Sequence, residues 1–80
     1  MSIDLLKNEL QSNKPVFGFE RTLKNLKNRK TKIVFFAHNC PSEFKERISL
    51  YDVDAYELTV DGTELSLICK RPHRVSIISF

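Results

Sequence analysis

The chain has 80 residues, of which 41% are hydrophobic and 29% charged, with a net charge of +3. These proportions are those of one ordinary globular domain and exclude a disordered tail, a disulfide scaffold or a coiled coil. No apolar run approaches the ~20 residues needed to cross a bilayer, and Met1-Ser2-Ile3-Asp4 lacks the basic-then-apolar start of a secretory signal, so an intracellular protein without membrane contact is expected.

Ser2 is expected to cap a first helix in which Ile3, Leu6 and Leu10 recur at helical spacing, broken by Asn13, Lys14 and Pro15. Val16 and Phe17 leave room for a brief strand only. Gly18 follows, pointing to an unusual dihedral or a close backbone approach. A second helix from about Glu20 to Asn28 turns Leu23 and Leu26 inward and Arg21, Lys24, Asn25, Lys27 and Asn28 outward. Six cations and no carboxylate lie between Arg21 and Lys32, while seven of the ten acids lie beyond residue 42, so one cationic face is expected.

Ile33 to Ala37 is a continuous apolar run, which predicts a central strand covered on both faces. Polarity returns at His38, Asn39, Cys40 and Pro41, and Ser42 is expected to cap a third helix with Phe44, Ile48 and Tyr51 inward. In Ala55 to Val60, Tyr56, Leu58 and Val60 alternate with polar residues, as on an edge or half-exposed strand. Asp61-Gly62 reads as a turn. Thr63 is expected to cap a fourth helix that stops before Pro72, and Val75 to Phe80 forms the last strand. This order of elements predicts an α/β protein, a three-layer α/β/α sandwich around a small, mixed four-stranded sheet.

Three segments carry residue types suited to nucleic acid. Gly18 and the basic second helix combine backbone amides with cations, both of which attract phosphate; the same pattern also fits a solvated helix surface. His38-Asn39 sits at a strand end, where a short amide can read a base edge or simply cap a turn. Lys70-Arg71-Pro72-His73-Arg74 is a proline-stiffened cationic loop whose Arg and His can stack on unpaired bases, or merely sit in water. Cys40 and Cys69 lack CxxC spacing and read as packing thiols, nothing sets a base beside Cys40, and the two His and two Cys do not match zinc spacings. No enzyme activity, cofactor, metal or small-molecule substrate is therefore expected.

Taken together, Gly18-Phe19-Glu20-Arg21-Thr22-Leu23-Lys24, Lys32-Ile33-Val34, Ala37-His38-Asn39-Cys40-Pro41, Thr63-Glu64-Leu65 and Arg71-Pro72-His73-Arg74-Val75-Ser76 resemble the archaeal and eukaryotic large-subunit ribosomal protein family "L thirty e", in the superfamily of kink-turn RNA-binding proteins. The resemblance covers nearly the whole chain. It implies a three-layer α/β/α fold, a cytoplasmic place in the ribosome, and one RNA-binding domain over residues 1–80 whose partners are a kinked, bulged ribosomal RNA helix and neighbouring ribosomal proteins. Carried over by position, it places Gly18, Glu20 and Lys24 at phosphate and guanine contacts, Asn39 at a guanine edge, and Arg71, Pro72, His73 and Arg74 beside a splayed base, with Phe19, Arg21, Lys27 and His38 as further RNA-binding residues. Ser66 stands where the family usually has glycine, and the stretch 42–54 is about a helical turn shorter than usual. The rival readings are a protein-interaction module of the same fold that uses the strand edge near Tyr56 to Val60, and a diverged kink-turn RNA-binding protein outside the ribosome.

Overall fold

A run of five apolar residues offers water no polar face, and the computed structural model, which describes residues 2–80, buries it at the centre of the sheet. Ile33–Phe36 forms a fully buried strand and Ala37 after it is buried as well. In chain order the elements are α1 (Ser2–Ser12), β1 (Val16–Phe17), α2 (Phe19–Lys27), β2 (Ile33–Phe36), α3 (Ser42–Ile48), β3 (Asp54–Glu57), α4 (Gly62–Ile68) and β4 (Ile77–Ser79). The strand order is β1-β4-β2-β3. β4 runs antiparallel to both β1 and β2, and β3 runs parallel to β2.

Alternation along the strands divides the core between two faces. Ile33, Phe35, Ala37 and Ile78 pack with Leu6 of α1 and Leu65 of α4, while Val34, Phe36 and Ile77 pack with Leu26 of α2 and Ile48 of α3. Two helices therefore cover each face, as the order of elements predicted. Burying a side chain the size of Phe35 contributes ~1.5–3 kcal/mol. β3 is an edge strand, with all four residues exposed, and β1 forms the other edge.

Several boundaries differ from the sequence expectation, each for a local reason. The Ser2 side chain, expected as the cap of α1, lies outside the described residues. Pro41, not Ser42, holds the cap position of α3; its φ of −55° and ψ of 137° lead the chain in, its carbonyl accepts from the Phe44 amide, and no side chain caps the end. Asp61, not Thr63, caps α4: its Oδ1 accepts from the Glu64 amide at 2.9 Å, and the helix begins at Gly62, so Asp61-Gly62 is a helix start and not a turn. A carboxylate both satisfies a free amide and opposes the positive end of the helix, which a threonine hydroxyl cannot do.

The strands are shorter than expected because pairing ends where neighbours end. Beyond β3, Leu58 still donates to Phe36 and His38 donates to Val60, but the chain has left the ladder. Ser66 is buried, and its hydroxyl donates to the Thr63 carbonyl at 2.6 Å, which is how α4 accommodates serine there.

Candidate nucleic-acid interface

Strand directions decide which loops meet. β1 and β2 both run antiparallel to β4, so the C-terminal ends of β1 and β2 lie at the same end of the sheet as the N-terminal approach to β4. β3 is parallel to β2 and ends there too. Gly18, Asn39, Gly62 and the loop 71–76 are thereby gathered at one end, although Gly18 and Ser76 are 58 positions apart in the chain.

Hydrogen bonds tie these loops together. Gly18 donates its amide to the Ile77 carbonyl at 3.2 Å, and the Val75 amide donates to the Gly62 carbonyl at 3.2 Å. The Gly62 amide donates to Asn39 Oδ1 at 3.1 Å. Gly62 is the hub of this end: a Cβ there would lie 3.3 Å from the Val75 carbonyl, 3.6 Å from Arg74 Cβ and 3.7 Å from Asn39 Oδ1. Sequence reasoning missed that role by reading Asp61-Gly62 as a turn. The signal was the spacing of Asp61 and Glu64, an N-terminal capping pattern that makes Gly62 the first helical residue.

Gly18 is required for its dihedral and not for space, since its φ is +96° and nothing lies within 4 Å of an added Cβ. It caps α2 without any side-chain hydrogen bond, so the first amides of a basic helix stay uncapped by a side chain. Thr22, on the same helix, is wholly buried and its hydroxyl pairs with that of Ser79 at 2.9 Å, anchoring α2 to β4. Leu26 is buried as expected, whereas Leu23 is only half-buried.

Three adjoining cavities mark this end. One of about 170 Å³ is lined by Gly18 and by Arg71, Pro72, His73 and Arg74. A second of about 680 Å³ lies between α2 and α3; Phe19 and Phe44 border it, their rings stacked at 4.2 Å, and Glu20, Arg47 and Arg74 are at its rim. A third of about 500 Å³ runs between α2 and β1, with Arg21, Lys24, Lys30 and Arg71 along it. Phe17 and Arg71 line the first and third, and the Arg71 guanidinium sits 4.5 Å from the centre of the Phe17 ring. Glu20 is the single carboxylate among the residues lining the three.

Of the residues singled out in the sequence, Gly18, Phe19, Glu20, Arg21, Lys24, Arg71, Pro72, His73 and Arg74 line these cavities, and Asn39 joins them through Gly62. Lys27 does not. It lines a separate cavity with Arg29, Thr31 and Leu50 to Val53, because it projects from a different face of α2 than Arg21, Lys24, Asn25 and Asn28, which line the groove beside β1. His38 is exposed and its charge bears on Glu57; the Glu57 carboxyl is held below its ordinary range by its hydrogen bond and ion pair with Lys45 and, to a lesser degree, by His38.

The thiols behave as packing groups. Burial pushes Cys40 above its ordinary value, against the opposing pull of Lys45, and burial raises Cys69 likewise. Among the described residues no three His, Cys, Asp or Glu side chains are grouped to hold a metal ion, and no helix is long and apolar enough to cross a membrane.

Comparison with known proteins agrees with this architecture. The chain is 33% identical over 75 residues to the "Large ribosomal subunit protein eL30" of Archaeoglobus fulgidus, covering 94% of this chain and 87% of that protein. It is 38% identical over 65 residues to the protein of the same name from Methanopyrus kandleri, covering 76% of this chain and 60% of that one. Among solved structures, "The structure of a protein with unknown function from Bacillus halodurans C" superposes with a TM-score of 0.71 at 14% identity, over 81% of this chain and 68% of that chain, a likeness of fold. The model of the family described as "Ribosomal protein L7Ae/L30e/S12e/Gadd45 family" matches residues 3–80, and the chain belongs to that family.

Proposed function

We propose that this chain is a structural protein of the large ribosomal subunit, acting as one RNA-binding domain that holds a kinked, bulged helix of ribosomal RNA at the end of the sheet where Gly18, Asn39 and the Arg71 to Arg74 loop converge. That convergence is the observation that carries the reading. The relatives named as large ribosomal subunit proteins supply the setting.

Each part of the site has a task in such a complex. The uncapped start of α2, with Arg21 and Lys24 beside it, receives phosphates through amides and cations. Asn39, with its carbonyl oxygen held by Gly62, turns its NH2 group to the acceptor edge of a guanine. The cavity beside Phe19 and Phe44, with Arg47 and Arg74 at its rim, has the apolar and cationic surfaces that a splayed, unstacked base requires. Because these loops are tied to one another in the free protein, binding selects the bent RNA conformer and no bond is made or broken.

The rival use of the β3 edge as a docking strand draws on the exposure of Asp54–Glu57. That edge is short, charged at both ends and tied to α3 by the Lys45–Glu57 ion pair, features that discourage strand addition. Contacts with neighbouring ribosomal proteins remain compatible with it.

The test is a titration of the purified chain against a bulged RNA helix that bends and against a straight duplex of the same composition. Tighter binding of the bent RNA, falling steeply with salt, is expected. Equal affinity for both RNAs overturns the reading.

A further inference from the structure

Resting on the RNA reading above, we propose that the groove between α2 and β1 is a second RNA-binding track, which holds the sugar-phosphate backbone of the stem flanking the kink. Its walls carry four cations, Arg21, Lys24, Lys30 and Arg71, and no carboxylate, in a chain whose net charge is only +3. Phe17 borders it with its ring already covered by Arg71. The groove shares Phe17 and Arg71 with the cavity at Gly18, so a strand leaving the clustered loops enters it directly.

The backbone shows how the outer two cations are delivered. Arg29 and Lys70 are the positive-φ residues other than glycine, each at 56°. Both occupy the left-handed position just past a helix end. The Arg29 amide donates to Leu26 and the Lys30 amide to Asn25; in the same pattern the Lys70 amide donates to Leu67 and the Arg71 amide to Ser66. Glycine is the usual residue at such a position, and a side chain there is strained. The two strained turns set Lys30 and Arg71, the residues that follow, into one groove from two different helices.

α2 has nine residues and spans about 13 Å, and Lys30 lies beyond its end, so the groove is long enough to follow more than one phosphate of a passing strand.

The experiment compares a short RNA that contains little more than the bend with one whose flanking stem is longer by a helical turn. Wild type, Lys30→Gln and Lys30→Glu are titrated against both at several salt concentrations; Lys30 is exposed, and binding of the short RNA checks that each variant is folded. Wild type is expected to bind the longer RNA about tenfold more tightly, with a steeper salt dependence. Lys30→Gln is expected to bind the short RNA as wild type does, to lose part of the gain on the longer one, and to flatten the salt slope there by about 1. Lys30→Glu is expected to lose more. No gain with stem length in wild type, or a full gain in Lys30→Glu, overturns the second track and leaves the kinked-RNA reading standing. If wild type does not distinguish the short bent RNA from a straight duplex, the underlying reading fails, and the second track with it.

Discussion

The side-chain carbonyl of Asn39 accepts a hydrogen bond from the amide of Gly62 at 3.1 Å, across 23 positions of sequence. The bond assigns the two ends of the side-chain amide: oxygen toward the protein, NH2 toward the outside. A group that could have offered both donor and acceptor is thereby biased toward donation, which matches guanine N7 and O6 and not the amino group of cytosine.

Asn39→Asp keeps the shape and the acceptor for Gly62 but removes the donor and adds a negative charge. Affinity for bent RNA is expected to fall by ~1–3 kcal/mol, the usual worth of a base-edge contact, with little change in the urea midpoint. Lys27→Ala, on the other cavity, should change affinity weakly and to the same degree for bent and straight RNA. Paired titrations of the two variants check the contrast.

Thr22 and Ser79 share a hydrogen bond in a region closed to water. Thr22→Val leaves the Ser79 hydroxyl without its partner and is expected to cost ~1–3 kcal/mol in stability. Adding Ser79→Ala removes the stranded group, so the double variant should be less destabilised than the sum of the single ones. Urea denaturation of the four proteins measures the coupling.

The left-handed turns at Arg29 and Lys70 hold side chains in a backbone region that favours glycine. Arg29→Gly and Lys70→Gly relieve the side-chain clash of a positive φ and are each expected to stabilise the fold by ~0.5–1 kcal/mol. Thermal melts read the gain. A loss in either variant would show that the side chain makes a compensating contact.

Burial raises both thiols, chiefly by keeping their charged form from water. Below the ordinary thiol value of 9.0 the folded and unfolded chains are both protonated there, and this contribution to stability is complete. As pH rises past that value the unfolded chain ionises first and gains, so stability falls until the folded thiols ionise too. Urea midpoints at pH 7 and pH 10 should converge more closely in Cys40→Ala/Cys69→Ala than in wild type.

Periodicity and side-chain chemistry made much of the molecule readable in advance. The apolar stretch from Ile33 could only be a central strand, because no polar face was left for water. The stretch from Ala55 was legible as an edge strand, although Tyr56 is exposed with the rest of β3 and Leu58 is buried only beyond its end, and Ile3, Leu6 and Leu10 marked a helix lying on the sheet. Clustered cations near Arg21 and in the 71–74 loop pointed to phosphate. The caps of α3 and α4 were misplaced because several polar residues compete at each helix start, and only backbone geometry chooses between Pro41 and Ser42, or between Asp61 and Thr63.

What the amino-acid order by itself determined was the set of elements, the faces they bury and the sign of the charge they display, since these follow from spacing along a short stretch of chain. Which of those charges stand together was decided by the tertiary structure alone. Strand direction brings Gly18, Asn39 and Arg74 to one end of the sheet, and the packing of α2 turns Lys27 into a different cavity from Arg21 and Lys24. Proximity between residues distant in sequence is a property of how the strands pair, and no local pattern encodes it.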